Sequence, residues 1–125
     1  AGVLNILEHG EKTGKSWAVF GHDIRYLKPA RLGEELQIWS RMLTTESFMN
    51  LVEFVMISQE KRQLKSVMHS RFAYFDIQSG RPARLDKELT NLFTQLSLFP
   101  EKKIKEFNID QRISLTRREI IELEN

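Results

Sequence analysis

The chain has 125 residues, 41% of them hydrophobic, a formal net charge of +2 and no cysteine. That size suits one domain able to bury a core without staples, and the missing thiols exclude disulfides, thiolate metal sites and cysteine nucleophiles, which fits the cytoplasm. Both signs of charge are mixed along the chain, unlike a nucleic-acid-binding stripe, and no apolar run approaches the roughly 20 residues of a membrane span.

Val3, Leu4, Ile6 and Leu7 have the spacing of a short helix over residues 1–10, stopped at Gly10 or Gly14. The first residues lack the basic-then-apolar order of a signal peptide. A domain seldom opens on an uncapped, half-apolar helix, so further chain is expected before Ala1. The following Gly10-Glu11-Lys12-Thr13-Gly14-Lys15-Ser16 resembles a phosphate-binding P-loop only superficially. Three residues instead of four separate the glycines, His9 stands where the first glycine belongs, and the segment enters a strand rather than a helix. It reads as a glycine turn.

From Trp17 to Ile77 β-formers dominate, predicting strands at about 17–28, 34–45, 48–59 and 64–77. Pro29 and Gly33 bracket a basic corner between the first two: proline extends Lys28, and glycine supplies the positive φ of a turn. Polar breaks at 44–47 and 59–63 are short enough to make the last three strands an antiparallel meander. Alternating and continuous apolar stretches together predict a sheet with one face on a helix and the other against a partner, hence an oligomer.

Gly80-Arg81-Pro82 closes the sheet, and Asp86 is a candidate N-cap for a helix carrying Leu89, Leu92, Phe93 and Leu96 on one face and ending near Pro100. The expected domain is 1–100, followed by a charged, partly helical tail at 101–125. There Thr116 and Glu119 match a capping box before Ile120, Ile121 and Leu123, predicting a second short helix, loosely docked or used in assembly. His9, His22 and His69 are scattered without metal-ligand spacing, and no metal is expected. Asp23 follows His22 on a strand, where neighbours face opposite ways, so the two form no dyad. Trp17, Trp39, Phe54 and Phe72 are assigned to core or interface.

The string Tyr26-Leu27-Lys28-Pro29-Ala30-Arg31-Leu32-Gly33-Glu34-Glu35-Leu36, followed by three long antiparallel strands and the Gly80-Arg81-Pro82 close, resembles the hotdog-fold acyl-CoA thioesterases over roughly residues 16–90. The resemblance implies an α+β fold in which a long antiparallel sheet wraps around a helix, here with C-terminal helices added. It also implies homodimers or homotetramers joined through sheet edges, with sites at the subunit interface, and makes residues 1–10 the tail of the wrapped helix, the first strand and helix start being absent. Two site placements occur in the family, and one of them matches in part: Gly2 near the helix start as a backbone N–H donor to the thioester oxygen, and Glu8 about two turns on as general base or nucleophile. Lys61, Arg62 and Lys65 in one turn, and Arg81 and Arg84 in another, either grip CoA phosphates or are solvated turn charges.

The implied activity is hydrolysis of an acyl-CoA or acyl-carrier thioester, with CoA as part of the substrate and no cofactor. A non-catalytic acyl-ligand module, as sensor or assembly domain, is the alternative. A dehydratase or isomerase on the same fold needs a His/Asp pair that the adjacent Glu8 and His9 do not supply.

Overall fold

The computed structural model describes residues 5–58, 60 and 62–122. Elements follow in the order α1 (Ile6–Thr13), β1 (Lys15–Tyr26), β2 (Leu36–Thr45), β3 (Met49–Ser58), β4 (Gln63–Asp76), α2 (Lys87–Leu96), a 3-10 turn at Ile104–Glu106, and α3 (Ile109–Glu122). The strands form one antiparallel sheet in the order β1-β4-β3-β2, so β1 crosses past the β2-β3-β4 meander to pair with β4. The crossing is held at the basic corner. Met56 pairs with Ser66 and Ile57 with Leu64, which leaves Lys65 as the extra residue of a bulge. Its carbonyl accepts from both Leu27 N (2.8 Å) and Lys28 N (3.2 Å), tying the end of β1 to the start of β4.

The pleat gives the sheet two unlike faces. On one lie Glu53, Val55, Ile57, Val67 and His69, and α3 packs against it: Ile109, Ile113 and Ile120 share a core with Val55, Ile57, Leu64 and Val67. Each buried isoleucine contributes on the order of 2 kcal/mol. On the other face, α2 covers one end. Its Leu89 and Phe93 pack with Tyr74 and Leu85 beside Trp17 and Met42, and Asp86 caps it as expected, accepting from Leu89 N at 2.8 Å. Residues 98–102 then pass along the β2 edge, with Leu98 N and Phe99 N bonded to the carbonyls of Met42 and Leu43, and carry the chain to α3.

Two helix expectations are corrected. The last helix does not begin at a Thr116 cap. Its cap stands eight residues earlier, at Asn108, whose side chain accepts from Gln111 N at 3.1 Å. Thr116 is buried mid-helix, its hydroxyl bonded to the carbonyl of Arg112 at 2.8 Å, and the helix is not loosely docked but part of the core. At the other terminus, α1 starts behind Asn5, which has extended backbone and accepts from Glu8 N. The helix ends at Gly14 in the left-handed conformation. Glu8 therefore stands in the first turn of its helix, not two turns in.

Candidate ligand site at the corner of the sheet

The corner between β1 and β2 is built around a buried ion pair. Lys65 and Glu34 side chains are 4% and 5% exposed and lie 3.1 Å apart. Lys65 Nζ also donates to Pro29 O and to Gln63 Oε1, both at 3.1 Å, so the ammonium is held by the corner backbone as well as by the Glu34 charge. The Arg31 backbone N–H, 3.1 Å from Glu34 Oε1, does most to hold the Glu34 carboxyl at about 2; Lys65 assists, against the opposing effect of burial. Gly33, at φ 81°, makes the turn that delivers Glu34.

This rigid corner frames an open, largely apolar pocket of about 410 Å³ between the loop residues 27–30 and Tyr26, Met56 and Ser66 on the sheet. A second pocket of about 210 Å³ adjoins it through Lys28 and is lined by Arg62, Gln63, Leu64, Arg117 and Ile120. Three cations from three segments thus converge: Lys28 from the corner, Arg62 from the β3-β4 hairpin, where it takes a left-handed φ of 52°, and Arg117 from α3. An apolar pocket joined to a cationic one suits an amphipathic anion.

From the corner, the sheet face not covered by α3 runs back along β1. Tyr26 pairs with Ser66, Ile24 with Met68, and His22 with Ser70; Phe54 and Met56 continue these rows on β3. Tyr26 is 83% exposed and Ile38 on β2 65% exposed, an apolar surface that no described helix covers. Its polar point is the hydrogen bond between His22 Nδ1 and the buried Ser70 Oγ, 2.8 Å.

The far end of the same face is aromatic. His9 Nε2 lies 2.5 Å from Tyr74 OH, and Trp17 stacks against both rings and against Phe93. Burial pushes the Tyr74 phenol up. Glu8 is on α1 at this end, half exposed and paired with Lys12 at 2.7 Å. Nine residues of β1 separate Trp17 from Tyr26, roughly 30 Å at strand rise, so Glu8 and the corner pocket do not meet within one chain.

The strongest electrostatic cluster lies on the opposite face. Arg41, Glu53 and His69 are cross-strand neighbours, and α3 adds Arg112. The fully buried Glu53 accepts from Arg112 Nη2 (2.8 Å) and Nε (2.9 Å), Arg41 Nε (2.9 Å) and His69 Nε2 (2.8 Å). Burial alone would raise its carboxyl; Arg112, His69 and Arg41 together reverse that and hold it at about 2. Arg41 further bonds Glu119 and Thr116 of α3. Arg112 also lines a small cavity of about 90 Å³ with Phe99, Phe107 and Leu115, and the cluster serves to seat α3.

Of the expected site residues, Gly2 and Lys61 lie outside those described. Arg62 stands at the cationic pocket, Lys65 is locked beneath the corner, and Arg81 and Arg84 are exposed at the aromatic end. Lys28 and Arg117 were not among the expected ligands: the first lay inside the recognised string, but nothing in sequence joined it to a helix 89 residues away.

No family model and no curated protein matches the chain. Solved structures do. YbaW, a probable thioesterase from Escherichia coli, matches with a TM-score of 0.65 at 18% identity, over 74% of this chain and 69% of that one. A 1,4-dihydroxy-2-naphthoyl-CoA thioesterase from Synechocystis gives 0.64 at 13%, over 74% and 68%. A hypothetical protein from Staphylococcus aureus in complex with CoA gives 0.64 at 11%, over 73% and 59%. The chain has the hotdog fold of the two thioesterase structures, α+β with a long antiparallel sheet and helices, as the resemblance implied.

Proposed function

We propose that this chain binds an acyl-CoA at the Lys28 corner and takes part in hydrolysis of its thioester. The observation that carries the reading is the junction at Lys28 of an apolar pocket with a cleft ringed by Lys28, Arg62 and Arg117. The phosphates of CoA would sit at the cations and the pantetheine arm in the apolar pocket. The solved thioesterases of the same fold, and the similar structures with CoA bound, support the ligand class.

Catalysis on this reading needs a second copy. Among the described residues nothing pairs with the outer edge of β1, which carries exposed Val19, Phe20 and Tyr26, and an unpaired edge of that length invites a partner strand. Antiparallel pairing of β1 with the β1 of a second copy sets the Trp17 end of one beside the Tyr26 end of the other. Glu8 of one copy then approaches the corner of its mate, where the carboxylate takes a proton from water as the water oxygen attacks the carbonyl carbon. The C–S bond breaks, and the thiolate leaves with that proton. Backbone N–H groups near Gly2 are the proposed oxyanion donors.

The test is release of free thiol from a panel of acyl-CoAs by the purified protein, alongside its oligomeric state. Thiol release by a dimer or tetramer is expected; binding of acyl-CoA with no thiol released leaves the second reading, a binding module. That reading is favoured by one observation, the exposed pairing of Glu8 with Lys12 in the first turn of a short helix.

A further inference from the structure

Arg117 reaches the corner because of where it stands on α3. It follows Ile113 by four residues and precedes Ile120 by three, which puts it at the rim of the buried stripe of that helix, on the side that meets Lys28 and Arg62. Its turn of helix is pinned from the sheet. Arg41 bonds Thr116 and Glu119, which bracket it, and Arg112, five residues earlier, is held twice by Glu53. The pocket that Arg117 lines also shares residues with the core under α3. Leu64 and Ile120 belong to both, and Leu27, the neighbour of Lys28, packs on the same cluster. The cationic pocket therefore exists only while α3 is docked on the sheet.

A ligand held at Lys28 and Arg117 at once bridges two segments 89 residues apart. Such a ligand binds the docked helix and not the undocked one, so binding and docking must favour each other. The cations also discriminate by chemistry. The arm of a carrier-protein thioester ends in one phosphodiester, whereas CoA continues through a diphosphate to a phosphorylated ribose. The point charge of Lys28 and the planar forks of Arg62 and Arg117, brought from separate segments, match several phosphoryl groups rather than one. We infer that α3 is a clamp on the nucleotide end of the ligand, locked down through Arg117 when the ligand binds, and that it selects CoA thioesters over those of a carrier protein. This rests on the acyl-CoA reading and adds to it a role for α3 and a choice between the two thioester classes.

The experiment compares three non-hydrolysable thioethers of equal alkyl length on the full chain: alkyl-CoA, alkyl-3′-dephospho-CoA, and alkyl-phosphopantetheine, which stands in for the carrier-bound arm with its single phosphate. Affinity is measured by calorimetry, and the protection of α3 amides relative to those of α2 by hydrogen exchange. Affinity should fall in that order, by about tenfold from first to last. Alkyl-CoA should slow exchange in α3 several-fold beyond its effect on α2, and alkyl-phosphopantetheine should not. Arg117→Ala should reduce the CoA preference and the extra protection together while leaving phosphopantetheine affinity in place. Arg117→Lys, which keeps the charge without the fork, should restore part of both; a merely structural role would weaken all three probes equally. Equal affinity for the three probes, α3 protection no greater than that of α2, or a preference unchanged in Arg117→Ala overturns the inference, while binding of alkyl-CoA keeps the acyl-CoA reading standing. Failure of alkyl-CoA to bind the unaltered protein overturns that reading and this inference with it.

Discussion

The two faces of the sheet treat polar groups in opposite ways. Under α3, four ionisable side chains meet in the dark: Glu53 is fully buried, Arg112 and His69 are each 6% exposed, and Arg41 closes the row. On the other face much of the exposed surface is apolar, and its polar groups include the His22–Ser70 pair and, at the corner, cations around a pocket. The most strongly perturbed carboxylates among the described residues, Glu34 and Glu53, are therefore structural pins. The groups placed to meet a ligand are those with open surface beside them. Perturbed titration marks functional sites only where a cavity reaches it, and neither Glu34 nor Glu53 lines the two corner pockets or the small cavity beside Arg112.

The comparison breaks most completely at Glu53. Removing the carboxylate in Glu53→Ala leaves Arg112, Arg41 and His69 facing one another in a buried space, and breaking such a pair costs about 3–5 kcal/mol. Urea unfolding should show that loss, together with weakened protection of α3 amides in hydrogen exchange. A loss under about 1 kcal/mol would mean that the network is not what seats the helix.

The same pin predicts a pH window. The carboxyl of Glu53 is held at about 2 against a usual 4.5, so its contribution is complete above about pH 5 and fades as pH falls toward 2. The sign follows from the depressed value: protonation favours the unfolded chain, where the group binds its proton more readily. Glu34 is depressed as well and titrates in the same window, so the measurement is the difference between the unaltered protein and Glu53→Gln. That difference should be constant above pH 5 and shrink by roughly 2–3 kcal/mol on acidification.

The faces were unequally legible in sequence. All four strands fall within two residues of where the runs of β-formers and their polar breaks placed them, because period-2 patterning is local. Asp86 declared α2 for the same reason. The start of α3 was hidden because Thr116-x-x-Glu119 mimics a cap while the true register, Ile109, Ile113, Thr116 and Ile120, is diluted by five charged residues between them. Glu53 had a local signal that was not used: an acid at an inward position between Leu51 and Val55 demands a buried partner. Its partners Arg41, His69 and Arg112 come from three other elements, and only the folded sheet joins them. The corner pocket follows the same division, since Lys28 lies in the recognised string while Arg117 arrives with the helix.

A smaller effect distinguishes the corner from the pin. Lys28→Ala and Arg117→Ala remove cations that make no ion pair among the described residues, so stability should change by under about 0.5 kcal/mol. Acyl-CoA affinity should fall several-fold for each, corresponding to about 1 kcal/mol, and the salt dependence of binding should flatten. Unchanged affinity in both variants would detach the cationic pocket from the ligand.

The smallest effect on stability, and the most telling on chemistry, belongs to Glu8. Its contact with Lys12 is an exposed i,i+4 pair, worth about 0.3–0.5 kcal/mol, so Glu8→Gln should leave the melting curve almost where it was. Thioester turnover is a different matter. If a second copy brings Glu8 to the corner, replacing it removes the only carboxylate assigned to water activation, and thiol release should collapse although acyl-CoA still binds. A charge-introducing change on the β1 edge, Phe20→Glu, then serves as the control: it should dissociate the copies and reduce turnover through separation alone, with Glu8 intact. Loss of turnover in both variants fits a site shared between copies. Loss in Phe20→Glu with full activity in Glu8→Gln would keep the shared site but give the chemistry to another residue, and full activity in both would place the whole reaction within a single chain.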